Sequence, residues 1–334
     1  MEKKKEIVLS GIRPTGFVHL GNYLGAILNW VRMQDEFDCY YCIVDWHSLT
    51  THPDTREIRS NVMRLLAELA GSGLDPEKCV LYLQSDVPEI AELYLYLNTL
   101  AYKGELEKTV TFKDKVRSQP DNVNAALLTY PVLQSADILI HRAAKVPVGK
   151  DQEQHVEMTR RFAERFNYRY GEVFPLPQSF NYGGDLVKIM SLDGKGKMSK
   201  SENQMNTLYL ADTDDLIRKK IMKAKTDSGP TTPHAAKPDY IEGLFGLMKI
   251  VSSKDTVSHF ETEFNNTHIR YGDMKKQLAE DMVRFIAPIR ERTLAIRQDE
   301  KYIKQVLSEG AVKARASARA TLKLVREAIG LNYY

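Results

Sequence analysis

Three lysines lie close together in a short glycine- and serine-rich stretch, GKGKMSKS, which begins at Gly194. They are Lys195, Lys197 and Lys200. Like charges packed this closely repel one another, and a bound polyanion would relieve that repulsion. Long lysine side chains can also follow negative charge as it moves onto a leaving pyrophosphate. An ordinary solvated surface loop would have the same composition, so this stretch alone leaves both interpretations open.

A second candidate for anion chemistry lies near the N-terminus, in LSGIRPTGFVHLGNYLGAILNW. A short apolar strand there runs into a loop rich in glycine and proline and then into an amphipathic helix. Gly16 and Gly21 have P-loop spacing, but Asn-Tyr follows where a P-loop has Lys-Ser or Lys-Thr. His19 and Asn22 share one face of the first helical turn, where their donors could hold an anionic oxygen. A plain polar helix start is an equal alternative.

A third candidate is the carboxylate of Asp137, in the otherwise apolar stretch PVLQSADILI. Asp137 lies three residues after Gln134, on the same face of a predicted helix. A buried carboxylate needs a hydrogen-bond donor, and an indole N–H is a group that only donates. A surface acid on a helix is the alternative.

The elements that position these residues alternate between strand and helix through the first half of the chain. The predicted strands are EIVLS, CYYCIVDW, CVLYLQSDV and KVPVG. This order predicts an α/β fold with a parallel sheet and helices on both faces. Ligands of such sheets bind at the carboxyl ends of the strands. We therefore single out the strand ends at 10–11, 45–47 and 84–86.

The helical patterns are predicted from the spacing of apolar residues. The first helix begins at Leu20, and further helices cover 55–70, 89–100, 113–142 and DQEQHVEMTRRFAERF. Within 113–142, Tyr130-Pro131 opens the segment PVLQSADILIHR. After Pro175 no periodicity returns until the short strand LVKIMSL. Beyond about Asp212 the chain is predicted to be helical, with breaks at 229–238 and at Gly272.

Composition indicates a globular chain of 334 residues, 43% hydrophobic and 27% charged, long enough for two domains. No apolar run could span a bilayer and no signal peptide is evident, so we predict a cytoplasmic protein without membrane contact. Cys39 and Cys42 form a C-x-x-C, but on a strand they would point to opposite faces, and we predict no metal there. The net charge of +3 gives no global sign of nucleic-acid binding. A basic excess in the C-terminal part could track phosphates or form a solvated helix face; it comprises Arg284, Lys313, Arg315, Arg319, Lys323 and Arg326.

Taken together, the motifs resemble the class I aminoacyl-tRNA synthetases, in particular those specific for tryptophan. The resemblance rests on KMSKS with the upstream His-x-Gly-Asn, and on SGIRPTG, IVDWH, GELEKTVTFKDK, LLTYPVLQSADIL and VPVGKDQEQHVEMTRRFAERFN. It covers nearly the whole chain. It implies that tryptophan is activated by ATP, with Mg²⁺, to an adenylate and then transferred to the 3′ end of tRNA(Trp) by a homodimer. It also implies a Rossmann-like catalytic domain over 1–195 and a helical anticodon-recognition domain over 196–334, whose last helix packs back on the first domain.

The same resemblance implies roles for individual residues. The catalytic set comprises Lys197, Lys200, Lys115, His19 and Asn22. The ATP site comprises Gly11, Arg13, Pro14, Thr15, His19, Gly21, Asn22, Gly149, Lys150, Asp151, Ile189, Lys197, Met198, Ser199, Lys200 and Ser201. The tryptophan site comprises Leu9, His47, Tyr130, Gln134, Asp137, Val148 and Gln152, with no metal held by protein side chains. In it, Tyr130 and Gln152 would contact the substrate amino group, and Leu9, His47 and Val148 would form the walls around the indole.

Other functions stay open at this stage. Gln134 with Asp137 also resembles the tyrosine-specific synthetases, where both groups would serve a phenol. Lys150 stands where the family usually has Glu, which affects its implied contact with ATP. A tryptophan-binding paralogue that does not charge tRNA, and a small-molecule nucleotidyltransferase, are the remaining alternatives.

Overall fold

A five-stranded sheet, parallel throughout, organises the computed structural model, which describes residues 5–50, 54–149, 152–182, 189–199 and 204–333. The strands are β1 (Ile7–Ile12), β2 (Asp38–Ile43), β3 (Val80–Leu83), β4 (Lys145–Pro147) and β5 (Gln178–Phe180). Their order across the sheet is β3-β2-β1-β4-β5, and Val8 of β1 is in register with Cys39 on one side and Lys145 on the other. The predicted α/β class is confirmed.

Helices cover both faces of the sheet and form the C-terminal part of the chain. They are α1 (Leu20–Asn22), α2 (Leu28–Met33), α3 (Asp45–Leu49), α4 (Ile58–Gly71), α5 (Glu89–Asn98), α6 (Lys103–Leu106), α7 (Val110–Ser118), α8 (Ala125–Ile140), α9 (Glu153–Tyr170), α10 (Asp214–Met222), α11 (Asp239–Val251), α12 (Lys254–Asn265), α13 (Tyr271–Gln298) and α14 (Glu300–Ile329). A π-helical segment, Tyr23–Ile27, joins α1 to α2, and 3-10 turns occupy Gln84–Asp86, Pro120–Asn122 and Gln204–Asn206.

Two apolar cores lie on opposite faces of the sheet. Alternate residues of β2 enter different cores: Cys39 and Tyr41 join one, Tyr40 and Cys42 the other. This is the period of a strand buried on both faces. The predicted separation of the C-x-x-C thiols is therefore confirmed.

The fifth strand was not predicted, and this is a correction. β5 is short and its residues carry no apolar alternation, so pairing with β4 rather than local pattern makes it a strand. The predicted strand LVKIMSL begins within 183–188, outside the described residues. Its described remainder forms an antiparallel bridge between Met190 and Lys197, apart from the main sheet.

Two predictions about helix boundaries were wrong. The pattern over 113–142 divides into α7 and α8, and α8 begins at Ala125, after the N-cap residue Asn124, whose Oδ1 accepts the N–H of Leu127 at 2.9 Å. Pro131 therefore lies inside α8 and does not open it. Gly272 does not interrupt the last helices, because it falls in the first turn of α13, where backbone N–H groups lack helical partners in any case.

The C-terminal basic residues are largely engaged in ion pairs within the chain. Arg315 and Arg319 both bind Glu89 of α5, and Arg326 donates to Glu92 at 2.7 Å. These three arginines therefore hold α14 against α5. Neither predicted interpretation, phosphate binding or a solvated helix face, included these ion pairs. Within the described residues, no helix is both long and apolar enough to cross a bilayer.

Candidate active site

The predicted site lies at the point where the strand order reverses. After β1 the chain builds β2 and β3 on one side, then returns to build β4 and β5 on the other. A crevice is expected at the carboxyl ends of β1 and β4, which is the ligand position in open parallel sheets. The predicted segment Gly11 to Thr15 covers the end of β1 and the start of the loop after it, and Val148 and Gly149 follow β4 directly.

His19 and Asn22 hold each other at the start of α1. Asn22 N–H donates to His19 Nδ1 at 3.2 Å, and His19 N–H donates to Asn22 Oδ1 at 3.4 Å. Because Nδ1 accepts a hydrogen bond, the imidazole is neutral and carries its proton on Nε2. The helix-cap interpretation is thus confirmed, while the phosphate contact of the pair stays a prediction.

The two signature segments meet over Gly21. A Cβ added there would lie 3.0 Å from His19 Nδ1, which is a tight contact, and 3.7 Å from Met198 Cβ, which is an ordinary van der Waals contact, so the helix start packs directly against the lysine-rich segment. The carbonyl of Ile189 accepts the N–H of Met198 at 2.9 Å, which brings Gly21, Ile189 and Met198 of the predicted ATP site together. The side chains of Ile189 and Met198 are buried in the core.

The described part of GKGKMSKS is an ordered hairpin. Ser191 N–H donates to the carbonyl of Gly196 at 2.9 Å, and Gly194 and Gly196 adopt φ of 72° and 130°. Positive φ at both positions explains the glycines: they form a tight turn. Lys195 and Lys197 project from this turn into solvent.

Lys115 is half-buried on α7, and no described contact ties it to the hairpin. Ser199 is anchored by its carbonyl, which accepts from Thr207 Oγ1 at 3.2 Å. The remaining predicted residues Lys150, Asp151, Lys200 and Ser201 lie outside the described residues.

The loop after β1 connects the two halves of the predicted site. Pro14 is buried and Thr15 N–H donates to the carbonyl of Arg13 at 2.8 Å. Arg13 reaches solvent, yet surrounding protein atoms lower the pKa of its guanidinium, and the Tyr130 phenol is close enough to oppose that shift. Arg13 therefore lies near Tyr130 of the predicted amino-acid site.

Asp137 is the centre of a buried polar cluster. Its Oδ2 lies 2.9 Å from His47 Nε2, and both its oxygens accept from Gln84 Nε2, at 2.8 and 3.0 Å. The side chain is 4% exposed, so these donors compensate much of the cost of removing the carboxylate from water. Asp137 is thus a fixed, buried acceptor, and the alternative of a surface acid is wrong.

Gln84 was not predicted as a site residue, although the strand end that carries it was singled out. It is fully buried, and its Oε1 accepts the N–H of Trp46 at 3.1 Å. That bond fixes the amide so that Nε2 faces Asp137. Nothing in the sequence showed which partner this glutamine would find, because 53 positions separate it from Asp137.

Tyr130 and Gln152, predicted to contact a substrate amino group, are joined by a residue that was also missed. His155 lies between them, with Nε2 2.7 Å from Tyr130 Oη and Nδ1 2.8 Å from Gln152 Oε1. Burial raises the pKa of Tyr130 to about 12. The phenol therefore stays protonated at neutral pH.

The remaining residues of the predicted tryptophan site differ in their exposure. Leu9 is buried in the core beside β2, Val148 is half-buried after β4, and Gln134 is half-buried one turn before Asp137. Within the described part of the chain, no group of three or more His, Cys, Asp or Glu side chains could hold a metal ion.

Comparison with known proteins identifies the family. The family model described as "tRNA synthetases class I (W and Y)" matches residues 1–287. The tryptophan–tRNA ligase of Porphyromonas gingivalis is 57% identical over 97% of this chain and 99% of its own.

Solved structures agree with this relation. The tryptophanyl-tRNA synthetase of Campylobacter jejuni, complexed with ADP and tryptophan, matches with a TM-score of 0.87 and 32% identity, over 97% of this chain and 99% of that one. The tyrosyl-tRNA synthetase of Aeropyrum pernix, 19% identical with a TM-score of 0.65 over 92% of this chain and 90% of that one, shares the fold alone. The chain therefore belongs to the class I tRNA synthetases of tryptophan and tyrosine, within the tryptophan–tRNA ligases.

Proposed function

We propose that the crevice at the ends of β1 and β4 activates L-tryptophan with ATP and then charges tRNA(Trp). A tryptophan carboxylate oxygen attacks the α-phosphorus, the bond to the bridging oxygen breaks, and pyrophosphate leaves. A ribose hydroxyl at the tRNA 3′ end then attacks the acyl carbon, and AMP leaves. The carboxylate is itself the nucleophile, so the enzyme's task is positioning and charge stabilisation.

The fixed acceptor Asp137 is the observation that carries the amino-acid assignment. Gln84 and His47 hold its carboxylate in one place, at 2.8 to 3.0 Å. An indole N–H approaching from the crevice would complete its hydrogen bonding. Leu9, Val148 and the other predicted wall residues would pack on the indole rings.

The α-amino group would bind beside Tyr130 and Gln152. In the chain of hydrogen bonds through His155, the imidazole donates from Nδ1 to Gln152 Oε1 and accepts from the phenol at Nε2. The phenol oxygen then keeps its lone pairs for an ammonium group. Tyr130 would thus act as an acceptor for the substrate cation.

ATP would bind between the His19 helix start and the lysine hairpin. The His19 Nε2 proton, Asn22 and Lys197 are the described donors proposed for its phosphates, with Lys115, Lys200 and Ser201 as further predicted contacts. Mg²⁺ would arrive with ATP as part of the substrate, since phosphate oxygens are ligands that it prefers. The homodimer and the cytoplasmic location stay predictions from the sequence.

Tryptophan-dependent exchange of pyrophosphate into ATP tests the proposal. The wild-type protein should support exchange with tryptophan and not with tyrosine. Asp137→Asn should weaken tryptophan binding by at least tenfold, because one carboxylate acceptor becomes a donor amide. Exchange driven by tyrosine, or equal tryptophan affinity in wild type and Asp137→Asn, would overturn the assignment.

A further inference from the structure

The segment 206–212 connects the two signature segments of the predicted ATP site. On one side it pairs with residues 18–20 around His19, here called the histidine loop. Leu20 N–H donates to Leu208 O at 2.8 Å, and Leu210 N–H donates to Val18 O at 3.0 Å. On the other side Leu192 N–H donates to Asn206 O at 3.0 Å, at the base of the lysine hairpin. This short segment of backbone thus contacts both the histidine loop and the lysine hairpin.

A buried ion pair holds this segment in place. Lys220 of α10 is 2% exposed, and its Nζ donates to Asp212 Oδ2 at 2.6 Å and to Thr207 O at 2.8 Å. The same Asp212 oxygen accepts the N–H of Tyr209 at 2.9 Å. Lys220 therefore holds residues 207 and 212, near the two ends of the segment, against α10.

Helix α13 is hydrogen-bonded to the end of the same segment, at Asp212. Arg290 of α13 donates to the carbonyl of Asp212 at 2.7 Å and to the carboxylate of Asp214 at 2.6 Å. Removing one partner from a buried, hydrogen-bonded ion pair leaves the other charge uncompensated. Loss of Lys220 or Asp212 should therefore disturb the segment 206–212 more than it disturbs the sheet.

We propose that Lys220 and Asp212 are positioning residues for ATP, acting through the segment 206–212 on the histidine loop and the lysine hairpin. Neither side chain needs to contact the nucleotide. The buried polar cluster of Asp137, His47 and Gln84 is built on α8, α3 and the 3-10 turn Gln84–Asp86, and no described backbone hydrogen bond joins these elements to the segment. This inference rests on the proposed function, and it predicts a selective defect toward ATP.

The test separates the two substrates in Lys220→Met and in the double variant Lys220→Met, Asp212→Asn. We expect the KM for ATP in tryptophan-dependent exchange to rise about tenfold in the single variant and less in the double one, because the double variant leaves no buried charge unpaired. The dissociation constant for tryptophan alone should change by less than about twofold. Lys219→Met, an exposed lysine on the same helix, is the matched control and should behave as wild type.

Asp212→Asn keeps the volume and the oxygen that accepts from Tyr209, so it provides a milder variant should Lys220→Met not fold. A rise of about threefold in the KM for ATP is expected for it. An unchanged KM for ATP in the folded variants, or equal losses of ATP and tryptophan affinity, would contradict the positioning role. Absence of exchange in the wild-type protein would instead refute the proposed function, so the two failures are distinguishable.

Discussion

The buried polar cluster around Asp137 illustrates how a buried charge is stabilised residue by residue. Asp137 lies in an apolar helix, where an unpartnered carboxylate would be costly. Gln84 supplies donors to both oxygens and is itself fixed by the N–H of Trp46. The rigidity of the Asp137 carboxylate thus depends on Gln84, which lies 53 positions away in the sequence and outside the helix that carries Asp137.

Replacement of Gln84 should therefore weaken tryptophan binding without removing the acceptor. Gln84→Met conserves volume but deletes the donors to Asp137, and we expect the dissociation constant for tryptophan to rise about tenfold, since hydrogen bonds to charged groups contribute about 1.5–3 kcal/mol. Titration calorimetry measures it. Gln34→Met is a matched control, because Gln34 is also buried but bonds to Gly73 and Asp75. Equal effects of the two variants would show that Gln84 acts only through general stability.

At the scale of elements, α14 and the sheet meet around an uncharged histidine. His141 stacks on Tyr40 with centroids 4.4 Å apart, lies 3.0 Å from the Tyr82 hydroxyl and reaches Ser317 of α14 at 3.1 Å. Burial lowers its pKa to about 3. The imidazole is therefore neutral in the folded protein at every pH near neutrality.

This burial predicts a pH dependence of stability. The unfolded chain protonates His141 near its ordinary pKa of 6.5, whereas the folded protein does so only near 3. The unfolded state thus binds more protons between these values, and His141 should lower the free energy of unfolding by about 1.4 kcal/mol for each pH unit below 6.5, with no effect above. Urea unfolding between pH 5 and 8 measures it.

The His141→Gln variant should lose that part of the slope, whatever its stability at pH 8. His268→Gln changes an exposed histidine and should keep the wild-type slope. If His141→Gln and the wild type have parallel stability curves below pH 6.5, His141 is not the group that titrates.

At the scale of the whole molecule, α14 joins the two cores around the edge of the sheet. Its early residues Ile303 and Val306 belong to one core, and Ala314 and Leu322 belong to the other. Between them α14 passes β3, which is an edge strand, so the helix covers backbone groups that would otherwise be open to another chain. The division into a catalytic and an anticodon-recognition domain, with the last helix packing back on the first, stays a prediction.

Gly310 is the point of closest approach in this crossing. A Cβ there would lie 1.7 Å from the carbonyl oxygen of Leu81, so backbone must move. We expect Gly310→Ala to destabilise the protein by about 1–3 kcal/mol, although alanine normally favours a helix. Gly246→Ala in α11 is the control: nothing lies within 4 Å of its added Cβ, so it should gain about 0.5–1 kcal/mol. Urea unfolding compares the two, and an equally stable Gly310→Ala would contradict the close contact.

The sequence by itself determined the parallel α/β fold, the strand ends that carry the predicted site, the helix start at His19 and the candidate acceptor Asp137. These follow from local periodicity and from motifs whose residues are near in sequence. Only the tertiary structure decided the partners: Gln84 and His47 for Asp137, His155 for Tyr130, Lys220 for Asp212, and β5 as the fifth strand. Each depends on contacts between residues distant in the chain or on pairing with a neighbouring strand, and a local pattern does not encode either.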